Sequence, residues 1–224
     1  MRLKSFGCSF IYGTDLADSG AGQTYATPSK LTWPALLAQR LDMPYDCYAR
    51  PGMGNFAIMD YVLRQACAGS HGDIYVIGLT FMERVDYLNS VDPRQRWQSF
   101  NIGSDNSLAE YYYKNLHSEY QDKLENLIRA KTIIDVLRSR NVPFIITAMD
   151  HVMFDQAYHC NPGIIELQEF VQPWITWFDG KNFLQWSQQQ GYAISATAHP
   201  LETAHVAAAD MMWPVIQGVL ASGK

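Results

Sequence analysis

Ser9 and His199 are the two residues whose types and placement suggest chemistry. Ser9 sits in Phe6-Gly7-Cys8-Ser9-Phe10-Ile11-Tyr12-Gly13, directly after the start Met1-Arg2-Leu3-Lys4-Ser5, which reads as a first strand. In an open α/β sheet, ligands lie outside the carboxyl ends of the strands, so a serine at such an end is well placed for a nucleophile. A Gly-x-Ser triplet by itself is common and decides nothing. His199-Pro200 stands before the last helix, about 190 residues further on. If both reach the same sheet edge, the imidazole can take the serine proton and return it to a leaving group, the minimum for acyl transfer. Cys8 is expected to point away from Ser9, buried and inert.

Further groups stand at other strand ends. Arg50-Pro51-Gly52-Met53-Gly54-Asn55 follows a short second strand and leads into a helix that Asn55 is placed to cap. Its backbone N–H groups, Gly52 among them, suit an anion or an oxyanion. The run Asp73–Thr80 ends in Thr80 and continues to Glu83, Arg84 and Asp86. Arg84 either orients a substrate or pairs with Glu83 or Asp86, and the sequence weighs the two equally. Asp150, His151, His159 and Cys160 match no metal-ligand spacing, and no cofactor motif is present, so neither a metal nor a cofactor is expected. His205 is expected to pack in the last helix or face solvent.

The elements that must position these groups alternate between strand and helix. Thr32 is placed to cap a helix bearing Trp33, Leu36, Leu37 and Leu41 on one face. A second strand lies at 45–48, a helix follows Asn55, and 73–80 is the clearest strand, apolar enough for burial on both faces. Residues 88–118 read as an irregular aromatic-rich excursion with a short helix. It is a candidate wall or lid over a site, or a contact between copies in a homo-oligomer. A long helix covers about 119–140, a fourth strand 144–149, an irregular stretch 154–173 and a helix 182–190, and 191–195 reads as a short fifth strand or an extended segment. The last helix carries a kink at Pro214. Gly13–Ser29 is a loop and Gly69–Gly72 a turn. The alternation predicts an α/β fold: three layers, α/β/α, around a mostly parallel central sheet, in one domain over 1–224.

The totals exclude several functions. The 224 residues are 48% apolar, which suits a folded globular protein. Net charge is −5, with no basic run to track phosphates, so no nucleic-acid partner is expected. No signal peptide and no apolar run of membrane-spanning length is read. The four cysteines show no close pairing, which fits free thiols and a cytoplasmic location.

In this order the blocks resemble the SGNH (GDSL-like) hydrolase family, in the branch that begins Gly-Cys-Ser-Phe. Gly7-Cys8-Ser9-Phe10 is similar to the nucleophile block, Gly52 with Gly54-Asn55 to the second block, Gly78-Leu79-Thr80 to the third, and His199-Pro200 to the last. The resemblance runs from Lys4 to about Val219. It implies a flavodoxin-like α/β/α fold and a serine esterase or O-deacylase acting on a small-molecule or sugar ester. Ser9 is then nucleophile and His199 base, with the N–H groups of Ser9 and Gly52 in the oxyanion hole and Thr80 or Asn55 as a third donor. Two departures stand out. Thr80 replaces the family's asparagine, and the positions before His199 where an acid is usual hold Ala196 and Thr197. A backbone carbonyl or a distant acid such as Asp150 would have to orient the imidazole. A transferase using another acyl acceptor stays open. So does a catalytically weak binding module, with 97–113 as its recognition surface.

Overall fold

The computed structural model describes residues 1–19, 27–69, 72–89, 91 and 96–222. Parts of the predicted 13–29 loop, the 69–72 turn and the 88–118 excursion lie outside the described residues. In chain order the elements are β1 (Leu3–Phe6), α1 (Ser9–Tyr12), α2 (Trp33–Arg40), β2 (Tyr45–Cys47), α3 (Asn55–Cys67), β3 (Ile74–Leu79), β4 (Val85–Leu88), β5 (Trp97–Phe100), α4 (Ser107–Asn115), α5 (Glu119–Ser139), β6 (Phe144–Ala148), α6 (Pro162–Val171), α7 (Phe183–Gln189) and α8 (Glu202–Ser222). The main sheet runs β2-β1-β3-β6 and is parallel throughout. β1 is the pivot: Leu3 lies opposite both Tyr45 and Ile74. The chain leaves β1 toward the β2 edge and returns on the other side to β3. The order of strands therefore reverses beside β1, where open α/β sheets leave a crevice.

Alternation along β3 divides its side chains between two cores. Tyr75, Ile77 and Leu79 pack with Ile58 and Val62 of α3, Leu127 and Ile134 of α5 and Ile164 of α6. Ile74 and Val76 pack with Trp33 and Leu37 of α2, Phe183 and Trp186 of α7 and Ala208 and Met212 of α8. Successive strand residues face opposite sides, so a strand covered on both must read as continuously apolar. Each such side chain contributes about 1.5–3 kcal/mol through burial. The α/β/α architecture expected from the alternation is the one observed.

Several details differ. The excursion holds an antiparallel hairpin, β4 against β5 with Val85 opposite Phe100, followed by α4. Residues 154–173 contain α6, started by Asn161, whose side chain accepts from the Ile164 N–H, and by Pro162 at its first position. The predicted strand at 191–195 makes only a bridge between Ile194 and Pro200, while the position beside β6 is taken by a bridge from Ile146 to Ile175. α8 contains Pro214 within its span and does not end there. Thr32 precedes α2 without a side-chain cap bond. Asn55 is not the cap of α3. Gly54 is, and the Asp86 carboxylate reaches across to accept from the N–H groups of Gly54 and Ala57.

Candidate active site

Ser9 begins α1, the single helical turn that leaves the end of β1. Its N–H lies in a first turn, where no carbonyl within the helix can reach it. α1 sits directly on the sheet because two glycines make room. A Cβ on Gly7 would come within 2.6 Å of Ile11 Cγ1, and one on Gly78 of β3 would do the same. Gly13, at φ 82°, then ends the turn and releases the chain into the loop. Cys8 is buried against the α2–α8 core.

That loop carries what the sequence reading lacked. Asp15 Oδ2 lies 2.8 Å from Nδ1 of His199, across 184 positions of sequence. The same oxygen accepts from Ser195 Oγ at 2.7 Å and from Thr197 Oγ1. Thr197 Oγ1 is also 3.0 Å from His199 Nδ1. The Thr197 hydroxyl is the strongest influence holding the Asp15 carboxyl below its ordinary value. Bonds from Ser195 and His199 act in the same direction against partial burial. Asp15 is therefore an acceptor at neutral pH, so Nδ1 carries the proton and Nε2 keeps its lone pair. The histidine loop is closed by Ser195 N–H on the His199 carbonyl and Leu201 N–H on the Ala193 carbonyl. Asp15 at φ 71° and Ala198 at φ 64° are both left-handed. For an L-residue this conformation costs about 1–2 kcal/mol, and here it flanks the carboxylate–imidazole contact on both sides. Phe10 packs on the imidazole at 5.1 Å between ring centroids.

Ser9 and His199 line one cleft of about 310 Å³ with Phe10, Thr14, Gly52 and Arg84. Gly52 is at φ 78° with open space where a Cβ would be, so conformation and not crowding calls for glycine there. Thr14, not singled out from sequence, contributes a buried hydroxyl with no hydrogen-bond partner among the described residues.

Other expected residues stand elsewhere. Asn55 is buried with its amide committed: it donates to the Thr80 carbonyl at 3.0 Å and to Asn126 Oδ1 at 2.7 Å, and accepts from the Thr80 N–H at 2.7 Å. It has no N–H left for an oxyanion. Thr80 is 1% exposed and lies outside the cleft lining, with its hydroxyl unpartnered among the described residues. Asp150 accepts from the Met82 and Val152 N–H groups and is not behind His199. Arg84 forms no ion pair with Glu83 or Asp86 among the described residues. Its Nη1 donates to the Met53 carbonyl at 3.3 Å, and its guanidinium lies 5.4 Å from the Phe81 ring. His205 is buried, its Nδ1 accepting from the Trp33 N–H at 3.1 Å. His151 Nε2 accepts from the Asn182 N–H, and His159 pairs with Glu119. All four cysteines are free thiols. Among the described residues no helix is long and apolar enough to cross a membrane.

No protein-family model and no curated protein sequence matches the chain. Solved structures do. A lipolytic protein of the G-D-S-L family from Veillonella parvula superposes with a TM-score of 0.52 at 15% identity, over 96% of this chain and 97% of that one. A carbohydrate esterase family 2 enzyme with a carbohydrate-binding domain, from Corynascus thermopiles, gives 0.53 at 14% identity over 98% of this chain and 66% of that one. An acetyl xylan esterase from the rumen bacterium Butyrivibrio proteoclasticus gives 0.51 at 12% identity over 98% and 64%. The parallel sheet flanked by helices is thus that of the SGNH-hydrolase fold.

Proposed function

We propose that the chain is an SGNH-family serine esterase or O-deacylase that cleaves a carboxylic ester of a small molecule or sugar through an acyl-enzyme on Ser9. The observation that carries this reading is the Asp15 carboxylate on His199 Nδ1, in the cleft that Ser9 also lines. Asp15 touches His199, and Ser9 lines the cleft that His199 also lines, which brings three polar groups to one strand-end crevice. An acyl-transfer site needs them: Asp15 fixes the tautomer, Nε2 takes the Ser9 proton as the oxygen attacks the carbonyl, and the imidazolium returns that proton to the leaving alcohol. Water then enters by the same route and releases the acid. The N–H groups of Ser9 and Gly52 receive the oxyanion. Thr14, whose residue lines the same cleft and whose hydroxyl has no partner among the described residues, is the third donor of this reading. A cleft of about 310 Å³ suits a small ester. The four free thiols suit a reducing compartment such as the cytoplasm.

The test is intact-mass spectrometry after exposure to a fluorophosphonate, together with turnover of 4-nitrophenyl acetate. Wild type is expected to gain one adduct, which Ser9→Ala abolishes and His199→Ala slows by several powers of ten. Folded wild type that takes no adduct and turns over no ester would remove the proposal in favour of a binding module.

A further inference from the structure

Arg84 has work left to do. It lines the Ser9 cleft with its guanidinium carbon 5.4 Å from the centre of the Phe81 ring, yet among the described residues its one hydrogen bond is a long one, to the Met53 carbonyl. Its Nε is buried with no hydrogen-bond partner among the described residues. The acids close in sequence do not neutralise it. Asp86 is consumed by the start of α3 and by Ser99 Oγ. Glu83 makes no ion pair with it among the described residues; burial pushes that carboxyl up, and the Arg84 charge draws it down without a direct contact.

Arg50 repeats the pattern on the other side of the Pro51–Gly52 turn. It lines an adjoining cleft of about 420 Å³ with Tyr12, Trp97 and Gln98. Its Nη2 donates to the Trp97 carbonyl at 2.9 Å, and its Nε too is buried and unpartnered among the described residues. Among the described residues neither cleft is lined by an aspartate or a glutamate. In a chain of net charge −5, the arginines are thus the charged side chains that the described residues present to the two clefts meeting at Gly52. A guanidinium is a planar fork of five donors that matches a carboxylate, phosphate or sulfate. Fields of one sign in a cleft also concentrate ligands of the other.

We propose that the ester taken by this cleft carries an anionic group, a carboxylate, phosphate or sulfate, that Arg84 binds beside the reacting carbonyl, with Arg50 receiving a second or more distant anion. This rests on the esterase reading above and narrows its substrate class. The anion comes from either side of the ester bond, and paired substrates separate the two sources.

The experiment compares kcat/KM for 4-acetoxybenzoate with its neutral methyl ester, and for monomethyl adipate with dimethyl adipate per ester group. One anionic member is expected to lead its neutral partner by about ten- to hundredfold, the usual range for a charge-assisted hydrogen bond. Added potassium chloride should shrink that lead. Arg84→Gln should bring the ratio to about one, and Arg84→Lys should restore part of it, because the charge returns without the fork. Ratios near one in both pairs, with neutral esters turned over and Ser9 labelled, would overturn the inference and leave the esterase standing. A preference for the anion that survives in folded Arg84→Gln would overturn it as well. Absence of both label and turnover would overturn the esterase reading and this inference with it. The wild-type ratio and its salt dependence decide the matter even if the variants do not fold.

Discussion

His199 and His205 lie six positions apart at the entry to α8 and have opposite surroundings. His199 meets the cleft, and its Nδ1 faces the carboxylate of Asp15. His205 is buried beside Phe183, and its Nδ1 faces the backbone N–H of Trp33. The first ring must donate from Nδ1 and is left with a basic Nε2. The second must accept at Nδ1 and can hold its contact only while neutral. Burial pushes the His205 pKa down to about 3. The difference lies in the surroundings that a general base needs: an anion behind one nitrogen and an open cleft before the other. Neither is visible in the residue type.

The largest effect expected from breaking the comparison comes from removing the anion. Asp15→Asn leaves the shape in place and allows the wrong tautomer. In a serine protease the corresponding change costs about 10⁴ in turnover, and a loss of that order in 4-nitrophenyl acetate hydrolysis is the expected outcome here. Unfolding midpoints measured beside the kinetics separate this loss from a loss of fold.

The next effect belongs to His205 and appears in stability, not rate. Between pH 6.5 and about 3 the unfolded chain protonates this ring and the folded chain does not. Stability from this group is therefore complete above 6.5 and falls as pH drops, at up to about 1.4 kcal/mol per pH unit. Urea unfolding at pH 7, 6, 5 and 4 checks it. His205→Asn, whose side-chain oxygen can accept the Trp33 N–H but does not titrate, should flatten the profile across that window.

A smaller effect sharpens the view of Asp15. Its lowered pKa means that its contribution is present above the ordinary value of 3.8 and lost as pH falls through the lower folded value. Thr197→Val removes the strongest hydrogen bond holding that value down. The Asp15 carboxyl titration, followed by NMR, should move to higher pH, with turnover at neutral pH falling by about tenfold or less. The smallest change expected is in Thr14→Val. If the hydroxyl meets the oxyanion, kcat falls by about tenfold to a hundredfold with KM steady, and a hydroxyl that plays no part leaves both unchanged.

Much of this architecture was legible in the sequence because it depends on short-range pattern. The apolar run of β3, the alternation of strand and helix, and Ser9 and His199 at element boundaries all follow from local rules. The α6 helix was not read: Asn161 followed by Pro162 is a start signal, but the composition of 154–173 reads as irregular. The acid was not legible. Reasoning from the histidine looks to the positions just before it, which hold Ala196 and Thr197, or to strand ends such as Asp150. The chain instead supplies the carboxylate six residues after the serine and uses Thr197 to support it. Only tertiary contact across 184 positions reveals that division of labour. Asn55 failed for a related reason. An amide at a helix start reads as a free donor, but burial against Thr80 and Asn126 consumes both of its N–H groups. The equal choice at Arg84 likewise turned on where Asp86 spends its oxygens.

We propose that Asp15, and not Asp150, orients the His199 imidazole for catalysis. The most direct test is the second-order rate of fluorophosphonate labelling at Ser9 for wild type, Asp15→Asn and Asp150→Asn, each shown to be folded. The account predicts a fall of about 10³- to 10⁴-fold in Asp15→Asn and a rate within a few-fold of wild type in Asp150→Asn. Unchanged labelling in Asp15→Asn, or a loss confined to Asp150→Asn, would contradict it.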